Sequence, residues 1–257
     1  MVLLNVKNLI IIDMKTEKTI IQDLSFELYE KDFLGIIGES GSGKTITMKE
    51  ILRVNPPWIT SSGSIEFENK KITNQSIESI RGNQITMILQ DGMTAFNPLR
   101  KIGWQMNITF QEVLGVSKRK ARELSIDGLA KLSFSNPAET LNKYPHELSG
   151  GMLQRCMIAI ALITKPKILI ADEPTSALDS ISQLKLIKEI ERIKDTTQIS
   201  FILVSHDLAV IQRLAKRVIV IKDGTVVESG TVDQIFNNPQ NPYTQGLINA
   251  KQKLSIV

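Results

Sequence analysis

Apolar residues along the chain recur at two spacings, every second position and every third or fourth, and the switches between them outline the elements. Alternation predicts strands over residues 2–6, 9–12 and 20–30, the last with Leu24, Phe26 and Leu28 on one face. Leu34-Gly35-Ile36-Ile37 reads as a buried strand, and a helix starts at Ile46. Pro56-Pro57 and Ser61-Ser62-Gly63 read as chain breaks, with strands at 64–68 and 85–89 after them. From Met93 to about Ile163 the texture is helical, with segments at 102–113 and 117–134 and Ser117 placed to cap the second. The pattern then alternates: strand 168–171, helix 182–193, strand 199–204, helix 208–214, strand 218–221. A hairpin through Asp223-Gly224 leads into 225–228. The tail from Asn237 is turn-rich with a short final helix.

Strands alternating with helices imply an α/β fold with a mostly parallel sheet and helices on both faces. The expected division is a core of residues 1–92 and 165–257, carrying an N-terminal antiparallel β subdomain, around a helical insertion at 93–164.

The strand at 34–37 runs into Gly38-Glu39-Ser40-Gly41-Ser42-Gly43-Lys44-Thr45, a phosphate-binding loop of the form G-x-x-x-x-G-K-[ST]. Its glycines let the backbone curl so that N–H groups point inward at phosphate oxygens. The helix N-terminus that follows adds partial positive charge where the anion sits. Lys44 can reach the β- and γ-phosphates, and the Thr45 hydroxyl can ligate Mg²⁺.

Two further stretches carry chemistry. The apolar strand at 168–171 ends in Asp172 and Glu173. Asp172, at the strand's carboxyl end, is expected to hold Mg²⁺ directly or through water. Glu173 points elsewhere because strand side chains alternate, which suits a general base for the water that attacks the γ-phosphate. A surface acidic pair is the bland alternative, and a phosphate loop upstream counts against it. Leu148-Ser149-Gly150-Gly151-Met152-Leu153-Gln154 opens a helix with a serine cap and paired glycines, a second anion site. Two such sites in one chain make sense if the second completes the nucleotide site of another copy.

Composition changes this picture little. The chain has 257 residues, a net charge of +4 and an ordinary globular make-up. That mild excess suits an acidic ligand or an anionic membrane face and is too small to argue for nucleic acid. The single cysteine, Cys156, excludes an internal disulfide and reads as a buried helix residue. No apolar run approaches the roughly 20 residues that span a bilayer. The chain itself is expected to be cytosolic, and if it works at a membrane, other subunits supply the span.

The chain resembles the ATP-binding subunits of ABC transporters over nearly all its length. Residues 38–45 match the Walker A loop and 168–173 match Walker B with its catalytic glutamate. Residues 148–154 look like the family signature, Gln90 the Q-loop glutamine, Ser176-Ala177-Leu178-Asp179 the D-loop and His206 the switch histidine. The resemblance implies an ATPase acting on Mg²⁺-ATP. Ser149, Gly150, Gly151, Gln154 and Asp179 would act on the nucleotide of a partner subunit. Gln90 would bind Mg²⁺ or the attacking water, and His206 would donate a hydrogen bond to the γ-phosphate. The family usually stacks adenine on an aromatic residue near the end of the first strand, where this chain reads Ile10-Ile11-Ile12-Asp13. Adenine would rest on isoleucine instead, with weaker discrimination between ATP and GTP.

Asn238-Pro239-Gln240-Asn241-Pro242-Tyr243-Thr244 resembles the ending of the peptide and nickel importer subfamily. Met152-Leu153-Gln154-Arg155 is similar to the nickel type, and the cysteine-bearing extension common in the peptide type is not seen. The resemblance implies import of nickel or a metal chelate, with peptide import the alternative. Implied partners are two transmembrane permease subunits, a second ATP-binding subunit, either distinct or identical, and indirectly an extracytoplasmic solute-binding protein. A non-transport relative acting on DNA or ribosomes is the more distant alternative. It fits poorly, since DNA-repair members insert long coiled coils and ribosomal members carry two such domains.

Overall fold

The computed structural model describes residues 1–90, 92–176 and 178–254. Strands β1 (Val2–Asp13) and β2 (Lys18–Tyr29) form a long antiparallel hairpin, and β3 (Phe33–Ile37) leads through the glycine loop into α1 (Lys44–Ile51). Then come β4 (Ile59–Phe67), β5 (Lys70–Lys71), the single-turn α2 (Ile77–Ile80) and β6 (Ile85–Ile88). A helical stretch follows: α3 (Gly92–Ala95), α4 (Ile102–Leu114), α5 (Lys118–Lys131), α6 (Pro137–Thr140) and, after a 3₁₀ turn at Pro145–Glu147, α7 (Gly150–Thr164). The remaining elements are β7 (Ile168–Asp172), α8 (Ser180–Thr196), β8 (Ser200–Val204), α9 (Leu208–Leu214), β9 (Arg217–Lys222), β10 (Thr225–Thr231), α10 (Val232–Asn237) and α11 (Pro242–Leu254). The chain forms two compact units, residues 1–78 with 200–257, and residues 79–199.

The first unit is built on strands in the order β5-β4-β1-β2-β10-β9-β3-β8. Strand β3 lies between β8 and β9, parallel to both, and every residue of β3 and β8 is buried. Phe33 and Phe201 stack across that pair with ring centroids 4.7 Å apart. Helix α9 lies directly on β3, so close that a methyl group on Gly35 would stand 2.8 Å from the Ile211 side chain. The entry to β3 is pinned by Asp32, whose carboxylate accepts from the Phe33 N–H (2.9 Å) and from Arg217 (2.9 Å).

Two expectations for this unit are corrected. The strands at 2–6 and 9–12 are one strand, bulged where Asn8 takes φ 48°. Ser61-Ser62-Gly63 is no break: it lies inside β4, paired to β1. The cause is a matched irregularity. Gly63, at φ 95°, passes so close to the Asn8 bulge that a Cβ would sit 2.3 Å from the Asn8 carbonyl oxygen. Glycine lets the two backbones approach while pairing continues on either side.

The second unit gathers helices around a parallel pair, β6 and β7, in register from Ile85 opposite Ile168 to Ile88 opposite Ala171. Helix α7 buries Leu153, Cys156, Met157, Ile158, Ala159 and Ala161, so it is covered on nearly every side. Small residues set its closest approaches: Gly128 of α5 faces Ala159 and Ile163, and Gly92 of α3 faces Leu153. Ser117 caps α5 as expected, its hydroxyl accepting from the Lys120 N–H. That helix ends at Lys131, three residues early, because Ser133 takes φ 59°. The final helix, α11, is longer than the short one expected, at 13 residues.

Candidate nucleotide site

In the first unit, β3 delivers the chain into the glycine loop, and α1 begins at Lys44, two residues before the expected start. Gly43 is the cap residue at φ 98°, and the buried Thr47 hydroxyl returns a hydrogen bond to the Gly43 carbonyl at 2.8 Å. Lys44 is only 8 % exposed. Its Nζ donates to the Gly38 carbonyl (2.9 Å), the Glu39 carbonyl (2.7 Å) and Ser42 Oγ (3.4 Å). A Ser42 N–H to Glu39 carbonyl bond of 3.2 Å closes the turn between them. The loop is thus folded around its own lysine, a cation held by carbonyl dipoles that an arriving phosphate can replace.

His206 sits at the same end of the sheet. Ile36 pairs with Val204 in the parallel β3–β8 ladder, so His206, two residues past the end of β8, follows it at the end where β3 enters the glycine loop. The buried Ser205 fixes the turn, its N–H donating to the Ile36 carbonyl and its hydroxyl accepting from the Asp207 N–H at 3.0 Å. The side chain of His206 is exposed.

One contact to the loop was not legible in the residue pattern. The Glu39 N–H donates to the phenolic oxygen of Tyr243, the second residue of α11, at 3.0 Å. The signal for it in the sequence is the Asn-Pro-Tyr-Thr run that holds Tyr243, a run that by itself marks only the subfamily. The sheet end that lacks an aromatic residue at 10–13 also has one nearby. Trp58 gives its carbonyl to the Met14 N–H at 2.9 Å, and Lys15 Nζ lies 3.4 Å from the centre of the indole ring.

In the second unit, Asp172 ends β7 at 2 % exposure and Glu173 follows at 8 %. Glu173 takes φ 48°, an uncommon conformation for a residue with a side chain, and its carbonyl accepts from the Ser176 N–H and hydroxyl. In the parallel β6–β7 pair Ile88 lies opposite Ala171, so the exposed Gln90 and Glu173 each follow the carboxyl end of their strand. Ser149 caps α7, accepting from the Met152 N–H at 3.3 Å. Gly151 lies where a Cβ would meet Ser182 and Leu178, each within 3.5 Å, which brings 149–151 against the start of α8. Gln154 is 2 % exposed and turned inward, donating to the Leu89 carbonyl at 3.3 Å.

Asp179 caps α8, accepting from the Ile181 and Ser182 N–H groups and from the Ser182 hydroxyl at 2.6 Å. The Ser182 hydroxyl, with those N–H groups, holds its carboxyl below the usual aspartate range. Ala177, within the expected D-loop, lies outside the described residues. Among the described residues no helix is long and apolar enough to cross a membrane.

Comparison with known proteins places the chain in a family. The family model for the ABC transporter matches residues 21–176, and that for the oligopeptide/dipeptide transporter C-terminal region matches 227–256. The chain is 40 % identical to the metal-staphylopine import system ATP-binding protein CntD of Staphylococcus aureus, across 99 % of this chain and 95 % of that one. It is 41 % identical to the oligopeptide transport ATP-binding protein OppD of Bacillus subtilis, across 96 % and 71 %. Among solved structures it resembles the ATP-binding cassette MJ0796, a dimer in a post-hydrolysis state bound to ADP and Pi. That match has a TM-score of 0.78, 25 % identity, and covers 89 % of this chain and 98 % of the other. The chain is an α/β P-loop ATPase of the cassette type. It belongs to the ABC transporter family.

Proposed function

We propose that this chain is the ATP-hydrolysing subunit of an import system, coupling ATP binding and hydrolysis to uptake of a metal chelate through separate membrane subunits. The observation that carries the reading is the preformed phosphate loop, folded around buried Lys44 at the start of α1. Metal-chelate cargo is supported by the likeness to the metal-staphylopine protein along nearly its whole length. Peptide import is the second reading, supported by 41 % and 40 % identity to the oligopeptide and dipeptide transport proteins of Bacillus subtilis.

In this mechanism residues 38–45 take the triphosphate, with backbone N–H groups around it and Lys44 exchanging carbonyl partners for phosphate oxygens. Glu173 is the base that takes a proton from the attacking water, while Gln90 orients that water and His206 donates to the γ-phosphate. Thr45 of the first unit and Asp172 and Gln90 of the second carry hard oxygen donors of the kind Mg²⁺ prefers, and the family resemblance assigns them to that ion. Such a site needs only one or two carboxylates beside the phosphates, and among the described residues no cluster of three acidic, histidine or cysteine groups forms an all-protein cage. Mg²⁺ held there would neutralise charge on the β- and γ-phosphates.

The signature residues Ser149, Gly150 and Gly151, supported by Gln154, face the nucleotide of a second ATP-binding subunit, with Asp179 beside them. Residues 93–164 form the helical subdomain that engages the permeases on the cytoplasmic face of the membrane. Glu173→Gln tests the reading. Phosphate release is expected to fall by at least about 100-fold, with ATP binding kept and a dimer accumulating on gel filtration in ATP. Wild-type turnover in that variant would remove Glu173 from the role of base.

A further inference from the structure

The Gly38–Glu39 peptide is held at both ends. Its carbonyl accepts from Lys44 Nζ at 2.9 Å, and its N–H donates to Tyr243 Oη at 3.0 Å. A peptide is a rigid plane, so fixing the N–H fixes the direction of the carbonyl, and with it one of the groups that hold the lysine. Gly38 gives the plane no other restraint of its own: it has no side chain and its φ of 155° is one that glycine tolerates.

Tyr243 is in turn held by the segment before it. The Glu228 carboxylate of β10 accepts from the Gln240 N–H (2.7 Å) and the Asn241 N–H (3.2 Å). Asn241 donates to the Val227 carbonyl (3.3 Å) and accepts from the Tyr243 N–H (2.8 Å). Lys222 Nζ lies 4.9 Å from the centre of the Tyr243 ring. Burial raises the phenol's pKa above its ordinary value, so the oxygen remains a neutral hydroxyl at neutral pH. Each of these residues lies in the same compact unit as the phosphate loop.

We propose that the C-terminal segment is a latch on the phosphate loop, in which Tyr243 is a positioning residue that sets ATP affinity through the Gly38–Glu39 peptide. The proposal rests on ATP being the ligand of that loop. When Lys44 leaves the Gly38 carbonyl for a phosphate oxygen, the Tyr243 bond keeps the peptide from following it. Without the phenolic oxygen the peptide is free to turn, and the loop must be reordered each time ATP binds. The region matched by the oligopeptide/dipeptide C-terminal model, 227–256, contains Glu228, Asn241 and Tyr243. It therefore reaches the phosphate loop through one hydrogen bond.

The test is steady-state ATP hydrolysis and fluorescent-ATP titration on wild type, Tyr243→Phe, Glu228→Ala and the double variant. Tyr243→Phe keeps the ring and removes only the oxygen. Its KM and Kd for ATP are expected to rise about 3- to 10-fold, the worth of one ordinary hydrogen bond, with kcat within twofold and the nucleotide-free melting temperature lowered by no more than about 5 °C. Glu228→Ala, which never approaches the loop, is expected to raise KM in the same direction, and the double variant to add little to Tyr243→Phe. Unchanged KM in Tyr243→Phe overturns the latch, as does full additivity of the two changes or a loss confined to kcat. A wild-type chain that neither binds nor hydrolyses ATP would overturn the nucleotide reading itself, a separate outcome.

Discussion

Two alanine substitutions in the phosphate loop, identical in chemistry, should differ sharply in cost. A Cβ at Gly38 would stand 2.1 Å from the Ile221 carbonyl oxygen and 3.0 Å from Ser42 Oγ, on a residue with φ 155°. An ordinary carbon–oxygen contact needs about 3.3 Å, so one backbone must move by roughly 1 Å. Ile221 belongs to β9, which is paired to β3 on one side and β10 on the other, and cannot give way. Overpacking of this kind costs about 1–3 kcal/mol, and the glycine-only backbone about 1–3 kcal/mol more. A Cβ at Gly41, by contrast, meets nothing within 4 Å, and only its φ of 83° opposes a side chain, costing roughly 1–2 kcal/mol. Strain that the loop relieves by refolding locally reappears as lost ATP affinity, so the quantity to compare is the sum of two losses. Urea unfolding gives the stability loss, and titration with a fluorescent ATP analogue gives the affinity loss. Gly38→Ala is expected to lose about 3 kcal/mol or more in total, roughly 100-fold if taken wholly as affinity, and Gly41→Ala only about 1–2 kcal/mol. Equal totals would refute the argument, because they would mean that Ile221 does not confine the loop.

Two further outcomes follow from buried groups. Glu50 of α1 is 4 % exposed, and its carboxylate accepts from Arg53, from Ser61 (2.7 Å) and from Asn55 (2.7 Å), tying the helix after the phosphate loop to β4. Glu50→Ala strands those donors and should cost about 3 kcal/mol, lowering the melting temperature by roughly 6–12 °C. A shift under about 2 °C by differential scanning fluorimetry would show that water satisfies the cluster. Burial pushes the Cys156 thiol up to about 12. It should therefore stay unreactive toward a chromogenic disulfide reagent at pH 8 in the native protein and react fully after denaturation. Rapid native reaction would show that α7 opens readily.

The parts of this protein that were legible in sequence are those whose signal is local. The glycine loop, the carboxylate pair ending β7 and the serine caps of α5 and α7 each combine a short motif with the element that must flank it. What escaped was set by partners far away in the chain. Ser61-Ser62-Gly63 has the composition of a turn, yet the facing bulge at Asn8, more than fifty residues earlier, turns the same glycine into a strand residue. Gln154 sits among signature residues expected to face a nucleotide, but Leu89 supplies an inward acceptor that no spacing rule announces. Tyr243 is the sharpest instance. Its motif was visible, but its role depends on an N–H two hundred residues upstream in sequence and 3.0 Å away in space. A family motif that carries no catalytic group of its own is therefore best read by asking which backbone donor or acceptor it satisfies. Here that donor belongs to the peptide whose carbonyl accepts from Lys44.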